Sequence, residues 1–426
     1  MADLPLLFVK ILVNPKGFTA FCASIKTKSA HDKLQSIKNA WSKDEICRLE
    51  MAAGLSQGNS ESDKYRFNTA FLTGSDYNRY PSTQTKDFGG NKVKKGLKIL
   101  LIVLAALVLL VGGFVLLIMH DFHDEIVPIS AETAESNNPY IVETGKTMVS
   151  AHRSGGGIAP ENTLMAFKNC VENGSFAIDI FEFDLHITQD GELILLHDDT
   201  FDRTSDSVEA FGQEGVLPSE KTYEELRALN LGENFTTDSG ETPYKGLRGA
   251  DVPEDLKVVR LRDIFDYLAP YGEYSFIIEI KDGGDLGRKA ADELYSILKE
   301  YNMLSRVVVG TFHGEISQYM DDTYPDMLRS AGIKEVVNFY FSSLLGIHHK
   351  ADYYKFAALQ IPDDDYVFNL GTTRLVNYAH QYDIAVQYWT INDPDDVRRL
   401  SSIGADAIMS DNPDMAYAVL RGGESA

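Results

Sequence analysis

The sequence predicts an α/β protein: a TIM (β/α)8 barrel with a small insertion, preceded by one transmembrane helix and a small cytoplasmic N-terminal segment. Three observations carry that expectation. Beyond residue 147, short apolar runs alternate with longer amphipathic stretches, the pattern of parallel strands joined by crossover helices. Three successive runs end in ionisable residues, as barrel strands do at a catalytic face. Ahead of them, residues 99–119, ILLIVLAALVLLVGGFVLLIM, hold no charge and are long enough to cross a bilayer.

At 426 residues, with 44% hydrophobic side chains, the chain has the material for a sizeable core. Cys22, Cys47 and Cys170 are the three cysteines, and their spacing suits neither a disulfide framework nor a zinc site. Charge is split around the apolar run. Residues 1–98 contain 16 basic and 9 acidic residues, with Lys92, Lys94, Lys95 and Lys98 next to the run, whereas 24 basic and 54 acidic residues follow it. Positive residues stay on the cytoplasmic side, so the N-terminus is expected in the cytoplasm and the large C-terminal portion outside the cell membrane. The acidity of that portion argues against a nucleic-acid partner.

The elements follow in order. Residues 4–13 are apolar but too short to span a bilayer. Residues 56–91 are rich in Ser, Asn, Asp, Thr, Gly and Tyr and read as a linker; no chemistry and no protein partner can be read from residues 1–98. The span at 99–119 leads to a polar stalk at 120–146, and the barrel domain occupies 147–426. Its expected strands are 148–152, 179–187, 275–281, 306–311, 335–340, 366–369, 385–390 and 406–409, with helices such as 288–301 and 394–403 between them. The last-but-two strand is the weakest of the eight.

The charges fall where a barrel would use them. His152 and Arg153 end the first strand, Glu182 and Asp184 the second, Glu279 and Lys281 the third. Residues two apart on a strand share a face, so each of the last two pairs aims at one place. Asp190-Gly191 signals a two-residue hairpin turn, which pairs Gln189 with Glu192 and sets Asp184 opposite His197. The run AHRSGGGIAPENT, from Ala151, places three glycines beside this charge, as a loop would where the main chain turns sharply or a phosphate approaches it.

The resulting cluster is His152, Arg153, Glu161, Glu182, Asp184, His197, Glu279 and Lys281. Three converging carboxylates repel unless a divalent cation with a taste for hard oxygen donors joins them, and Ca2+ or Mg2+ suits them better than zinc. The competing explanation is a set of structural ion pairs with Arg153 and Lys281. Two histidines beside a metal suit acid–base work near neutral pH. Arg153 and Lys281 suit an anionic group, and with the glycine loop they point to a phosphate and to phosphodiester cleavage.

The motifs AHRSGGGIAPENT, FEFDLHITQDGELILLHDDTFDRTS, FIIEIKD, VQYWTIND and GADAIMSDNPD, in that order from about Met148 to Leu420, resemble those of the glycerophosphodiester phosphodiesterase family. The resemblance implies a TIM barrel with an insertion, here at about 200–260, and metal-dependent hydrolysis of glycerophosphodiesters to glycerol phosphate and an alcohol. It implies His152 and His197 as the catalytic pair, Glu182, Asp184 and Glu279 as metal ligands, and Arg153 and Lys281 as phosphate contacts. It further implies attack by the neighbouring glycerol hydroxyl, giving a cyclic phosphate that water opens. The family usually has Gly after His-Arg; this chain has Ser154.

Around that centre, Glu161 and Asn162 are expected to pin the following helix and support the site, with Asp198, Asp199 and Asp411 in supporting positions. Trp389 is expected to pack against the substrate or into the core. His348-His349 is expected at the surface, since neighbouring residues point different ways. Two other functions remain open: cleavage of lysophospholipid, phosphatidylglycerol or a polyglycerol-phosphate wall polymer, and an inactive barrel that senses a ligand across the membrane.

Overall fold

Seven parallel strands and one short bridging stretch close into a barrel in the computed structural model, which describes residues 90–118, 124–130, 136–365 and 368–422. The strands are β1 (Met148–Ala151), β2 (Ile180–Ile187), β4 (Ser275–Ile280), β5 (Val307–Gly310), β6 (Ala358–Ile361), β9 (Ala385–Tyr388) and β10 (Ala407–Ser410). β3 (Leu193–Leu195) folds back antiparallel on β2, and β7 (Asp364–Asp365) with β8 (Phe368–Asn369) forms a separate two-stranded ribbon. β1 pairs with both β2 and β10, and Arg329-Ser330 bridges β5 to β6, so every gap is closed.

Alternation along the strands sorts side chains into two layers. Phe181, Phe183, Phe276, Ile278, Val307 and Val309 point outward into a core shared with the helices. Val386, Tyr388, Leu359 and Ile408 do the same on the opposite side. The inward layer starts with Ile180, Ile277, Val308, Ala358, Ala385 and Ala407, with the fully buried Tyr140 among them. Tyr140 donates from its hydroxyl to the Phe276 carbonyl, 3.0 Å away, and plugs the end where the strands begin. Higher up, the same inward positions turn polar: Glu182, Asp184, Glu279, Gln360 and Gln387.

Helices Gly284–Glu300 and Pro394–Ser402 lie where the periodicity expects them. Two strand expectations fail. Residues 335–340 lie in a helix, Ile333–Leu345. The run VVNFYF has strand-like residues, but Phe339, Tyr340, Ser343 and Leu344 are buried at helical spacing. The Glu335 carboxylate accepts from the Gly332 N–H, and Gly346 ends the helix at φ +62°. The sixth expected strand, 366–369, reduces to the ribbon residues 368–369, with 366–367 outside the described residues. The barrel position is taken instead by β6, a short AlaLeuGlnIle run ahead of Pro362.

The hairpin register is shifted by one. Thr188 faces Glu192 and Leu185 faces Leu195, leaving a three-residue loop with Gly191 at φ +88°. That is the three-residue turn ending in a left-handed glycine rather than the two-residue form. Asp184 therefore lies opposite Leu196, and His197 is one position beyond.

The insertion has its own small core, with Phe201, Tyr223, Leu226, Leu229, Leu231 and Val258 against Ile194 and Leu196. Residues 136–146 are not a free stalk: Asn138 donates to the Ala357 and Asp383 carbonyls, and the Val142 N–H to Asp406. The chain divides into units 1–108 and 109–426. Of the first, the structure describes residues 90–108, which begin a helix running from Gly90 to Ile118. Among residues described with their side chains, no helix is long and apolar enough to cross a membrane, those in this helix being Lys98, 102–103 and 105–116. The expectations for 1–89 lie outside the described residues.

Candidate active site

The polar end of the barrel is built from consecutive strand ends. β1 finishes at Ala151 in register with Phe181, and β2 and β4 run side by side with Asp184 opposite Glu279. His152, Glu182, Asp184 and Glu279 therefore meet at the mouth, and His197 joins them from the strand returning over it. All five, with Arg153 and Trp389, line one cavity of about 420 Å3.

Each histidine has a carboxylate behind it. His152 Nδ1 lies 2.6 Å from Asp411 Oδ1, and Asp411 is held by the Asn392 amide at 2.6 Å. His197 Nδ1 lies 2.7 Å from Asp198 Oδ1, and Asp198 is held by Arg203 at 2.6 Å. A carboxylate at Nδ1 fixes the tautomer and leaves Nε2 for the site. The environments then part. Burial works against a charged His152 ring, but Glu182 and Asp411 outweigh it and raise its pKa. Burial dominates at His197 and lowers its pKa, despite Asp184 and Asp198.

The three carboxylates are unevenly satisfied. Glu182 accepts from the Arg153 N–H at 2.7 Å, yet burial and the adjacent Asp184 charge push its carboxyl up to about 8. Burial also raises Glu279, against the opposing pull of Lys281. Lys281 Nζ sits 3.0 Å from Glu279 and 3.5 Å from Asp184. Asp184 Oδ2 accepts from Asn162, while Oδ1 is buried without a hydrogen bond. A carboxylate oxygen with no hydrogen bond, met only by the Lys281 charge, beside two carboxyls that resist ionisation is a donor set suited to a hard divalent cation. As they stand, no three His, Cys, Asp or Glu among the described residues are arranged to hold a metal ion, and Lys281 neutralises the pair instead.

Arg153 NH1 pairs with Glu161 at 3.2 Å, and its buried Nε has no hydrogen-bond partner. Glu161 also binds Arg203 at 2.6 Å, which ties the loop after β1 to the insertion and thence to Asp198 and His197. Asn162 thus contacts Asp184, and Glu161 contacts Arg153 and Arg203, but the next helix, Leu164–Glu172, is capped by Thr163. The glycines have separate duties. Gly155 takes φ +94°, and Gly157 donates its N–H to the Asp411 carbonyl with no room for a side chain, a Cβ there coming within 2.4 Å of Asn412. Arg153 and Ser154 take positive φ without being glycine.

Trp389 is half-buried and meets Phe312 edge to face, 6.3 Å between centroids. Asp199 is exposed and takes no part in these contacts. His348 is exposed, and His349 is half-buried and stacks on Tyr353. Arg203, Asn392 and Phe312 were not singled out by the sequence. Arg203 and Asn392 carried a signal, their places within the motifs ending TFDRTS and TIND; Phe312 carried none.

Residues 152–415 match the family described as Glycerophosphoryl diester phosphodiesterase family. A glycerophosphodiester phosphodiesterase of Caldanaerobacter subterraneus subsp. tengcongensis is 29% identical over 278 residues, 65% of this chain and 99% of that protein. Glycerophosphodiester phosphodiesterase 1 of Homo sapiens is 40% identical over 84 residues, 20% of this chain and 22% of that protein. A crystal structure of a glycerophosphoryl diester phosphodiesterase from Silicibacter pomeroyi superposes with a TM-score of 0.51 at 22% identity. It covers 68% of this chain and 96% of its own.

Proposed function

The chain belongs to the glycerophosphoryl diester phosphodiesterase family, and from that premise we propose that it hydrolyses glycerophosphodiesters to glycerol phosphate and an alcohol by two-histidine acid–base catalysis with one divalent cation. The observation that carries the reading is the pair of His–Asp dyads, His152–Asp411 and His197–Asp198, around three carboxylates in one cavity.

His197, whose pKa is lowered, takes the proton of the glycerol hydroxyl next to the phosphate. His152, whose pKa is raised, gives a proton to the departing alcohol oxygen. Attack from within the substrate exploits proximity. Water then opens the cyclic phosphate with the two histidines in exchanged roles. Glu182, Asp184 and Glu279 would hold Ca2+ or Mg2+, which supplies positive charge to the phosphate oxygens in the transition state. Arg153 and Lys281 orient the phosphate.

The enzyme is read as a single-pass protein of the cell membrane with its barrel outside, on the uncharged run at 99–119 and the charge split around it. Reporter fusions before and after the run test this: a C-terminal reporter active only in the cytoplasm overturns it. The reaction is tested by incubating the full chain, in detergent, with glycerophosphocholine and glycerophosphoethanolamine in Ca2+, Mg2+ or EDTA. Glycerol phosphate release that survives EDTA overturns the cation, and release unaffected by His152→Ala overturns the acid–base roles.

A further inference from the structure

A third His–Asp pair follows the carboxylates along β2 and β4 and takes no part in the reaction proposed. His186 Nδ1 lies 2.9 Å from Asp282 Oδ1; His186 is 3% exposed and stands outside the wall of the cavity that His152 and His197 line. Its Nε2 is buried with no hydrogen-bond partner among the described residues. Leaving a buried nitrogen unsatisfied costs free energy, so the pair is a poor fastener if joining two strands is all it does.

The pair sits where the ladder between β2 and β4 is interrupted. Lys281, one residue beyond β4, still donates its N–H to the Leu185 carbonyl at 3.1 Å. Bonds are evenly spaced along a parallel ladder, and the next would run from the Ile187 N–H to the Lys281 carbonyl. The Asp282 side chain takes that place instead: its Oδ2 accepts from the Ile187 N–H at 2.8 Å, while His186 holds Oδ1. The freed Lys281 carbonyl accepts from His313 Nε2 at 3.0 Å. The His313 ring lies so close that a Cβ on Gly283 would come within 2.6 Å of it. Side chains thus fix the main chain around Lys281 at the point where the strand lets go.

Lys281 is the residue that gains. Its four-carbon stem is flexible, so its ammonium is aimed only as well as its backbone is held. Here Nζ lies 3.0 Å from Glu279 and 3.5 Å from Asp184. We propose that His186 and Asp282 are positioning residues: through the Lys281 main chain they set the ammonium that meets the substrate's phosphate, without touching substrate themselves. This rests on the role given to Lys281 under Proposed function.

The test uses the full chain in detergent with Ca2+ or Mg2+ and reads two quantities. They are kcat/KM for choline release from glycerophosphocholine and the dissociation constant of sn-glycerol 3-phosphate by calorimetry. Asp282→Ala and His186→Phe should each lower kcat/KM about tenfold, within the range for a misplaced positioning group, and weaken glycerol 3-phosphate binding in parallel. His186→Asn, whose amide can still donate to Asp282, should recover most of both losses. Lys281→Met supplies the deciding arm. In that background Asp282→Ala and His186→Phe should each change either quantity by less than about twofold, since residues acting through one group are not additive. Losses that multiply in the double variants overturn the proposal, as does a lower unfolding temperature with both quantities unchanged. His186→Phe leaves the Ile187 bond in place, so it decides the matter if Asp282→Ala does not fold. A wild-type chain that binds glycerol 3-phosphate but releases no choline overturns the reaction and leaves the clamp to be judged on binding.

Discussion

The two halves of the barrel, β1 to β5 and Arg329 to β10, are alike on the outside and unlike within. Both bury an apolar outer layer under helices, around Phe181, Phe276 and Val309 in one and Leu359, Val386 and Tyr388 in the other. Inside, the first half carries Glu182, Asp184, Glu279 and Lys281, while the second carries Gln360 bonded to Gln387 at 3.0 Å. The same architecture can therefore be charged on one side without loss of core. The first half carries the ionisable groups, and the second lines the rest of the cavity with Gln360 and Trp389, reaching across through Asp411.

The sharpest way to break that contrast is to delete one group from each half. His152→Ala or His197→Ala should lower kcat by roughly 10^2- to 10^4-fold, the usual worth of a positioned acid or base. Trp389→Ala should cost under about tenfold and mainly in KM, as loss of uniform binding does. Equal kcat losses in steady-state assays would erase the distinction.

The cation is the next discriminator. Asn162→Ala frees Asp184 and should weaken divalent-ion affinity roughly 10- to 100-fold, whereas Gln360→Leu should leave it unchanged. Because Glu182 is held up at about 8, its proton must leave before it can ligate. Affinity should then fall as pH drops below 8, by at most about tenfold per unit, with matching proton release in calorimetry across two buffers. A pH-independent affinity would remove Glu182 from the ligand set.

Asp411 measures how far the second half intrudes on the first. A neutral base at His197 and a protonated acid at His152 give a bell-shaped kcat/KM profile, rising through a lowered pKa and falling through a raised one. Asp411→Asn removes a charge that raises His152, so the alkaline limb should move to lower pH while the acid limb stays. Movement of the acid limb alone would reverse the assignment. The smallest expected effect is Ser154→Gly, which relieves a left-handed residue at φ +64° and should raise unfolding stability by about 1 kcal/mol in denaturant titration.

The contrast between halves also explains what could be read in the sequence. Residues two apart on a strand share a face, so Glu182, Asp184, Glu279 and Lys281 were legible together with the fold. In the second half the signals were propensity alone. VVNFYF reads as a strand until the caps at Gly332 and Gly346 are weighed, and β6 is four residues with no turn signal before it. Arg203 acts only through Glu161 and Asp198, a relation made in three dimensions. The hairpin slipped by one because Asp190-Gly191 fits both a two-residue turn and the tail of a three-residue one, and only tertiary packing chooses.

Tyr140 sets where this chain tolerates cutting. A protease or an engineer guided by strand periodicity would sever it just ahead of Met148, yet the aromatic stopper and the Asn138 tether lie upstream of that point. A fragment beginning there would have an uncorked base, with Ile180, Ile277 and Val308 open to water. The smallest autonomous unit therefore starts before Ser136, and the segment that resembles a connector is the barrel's floor.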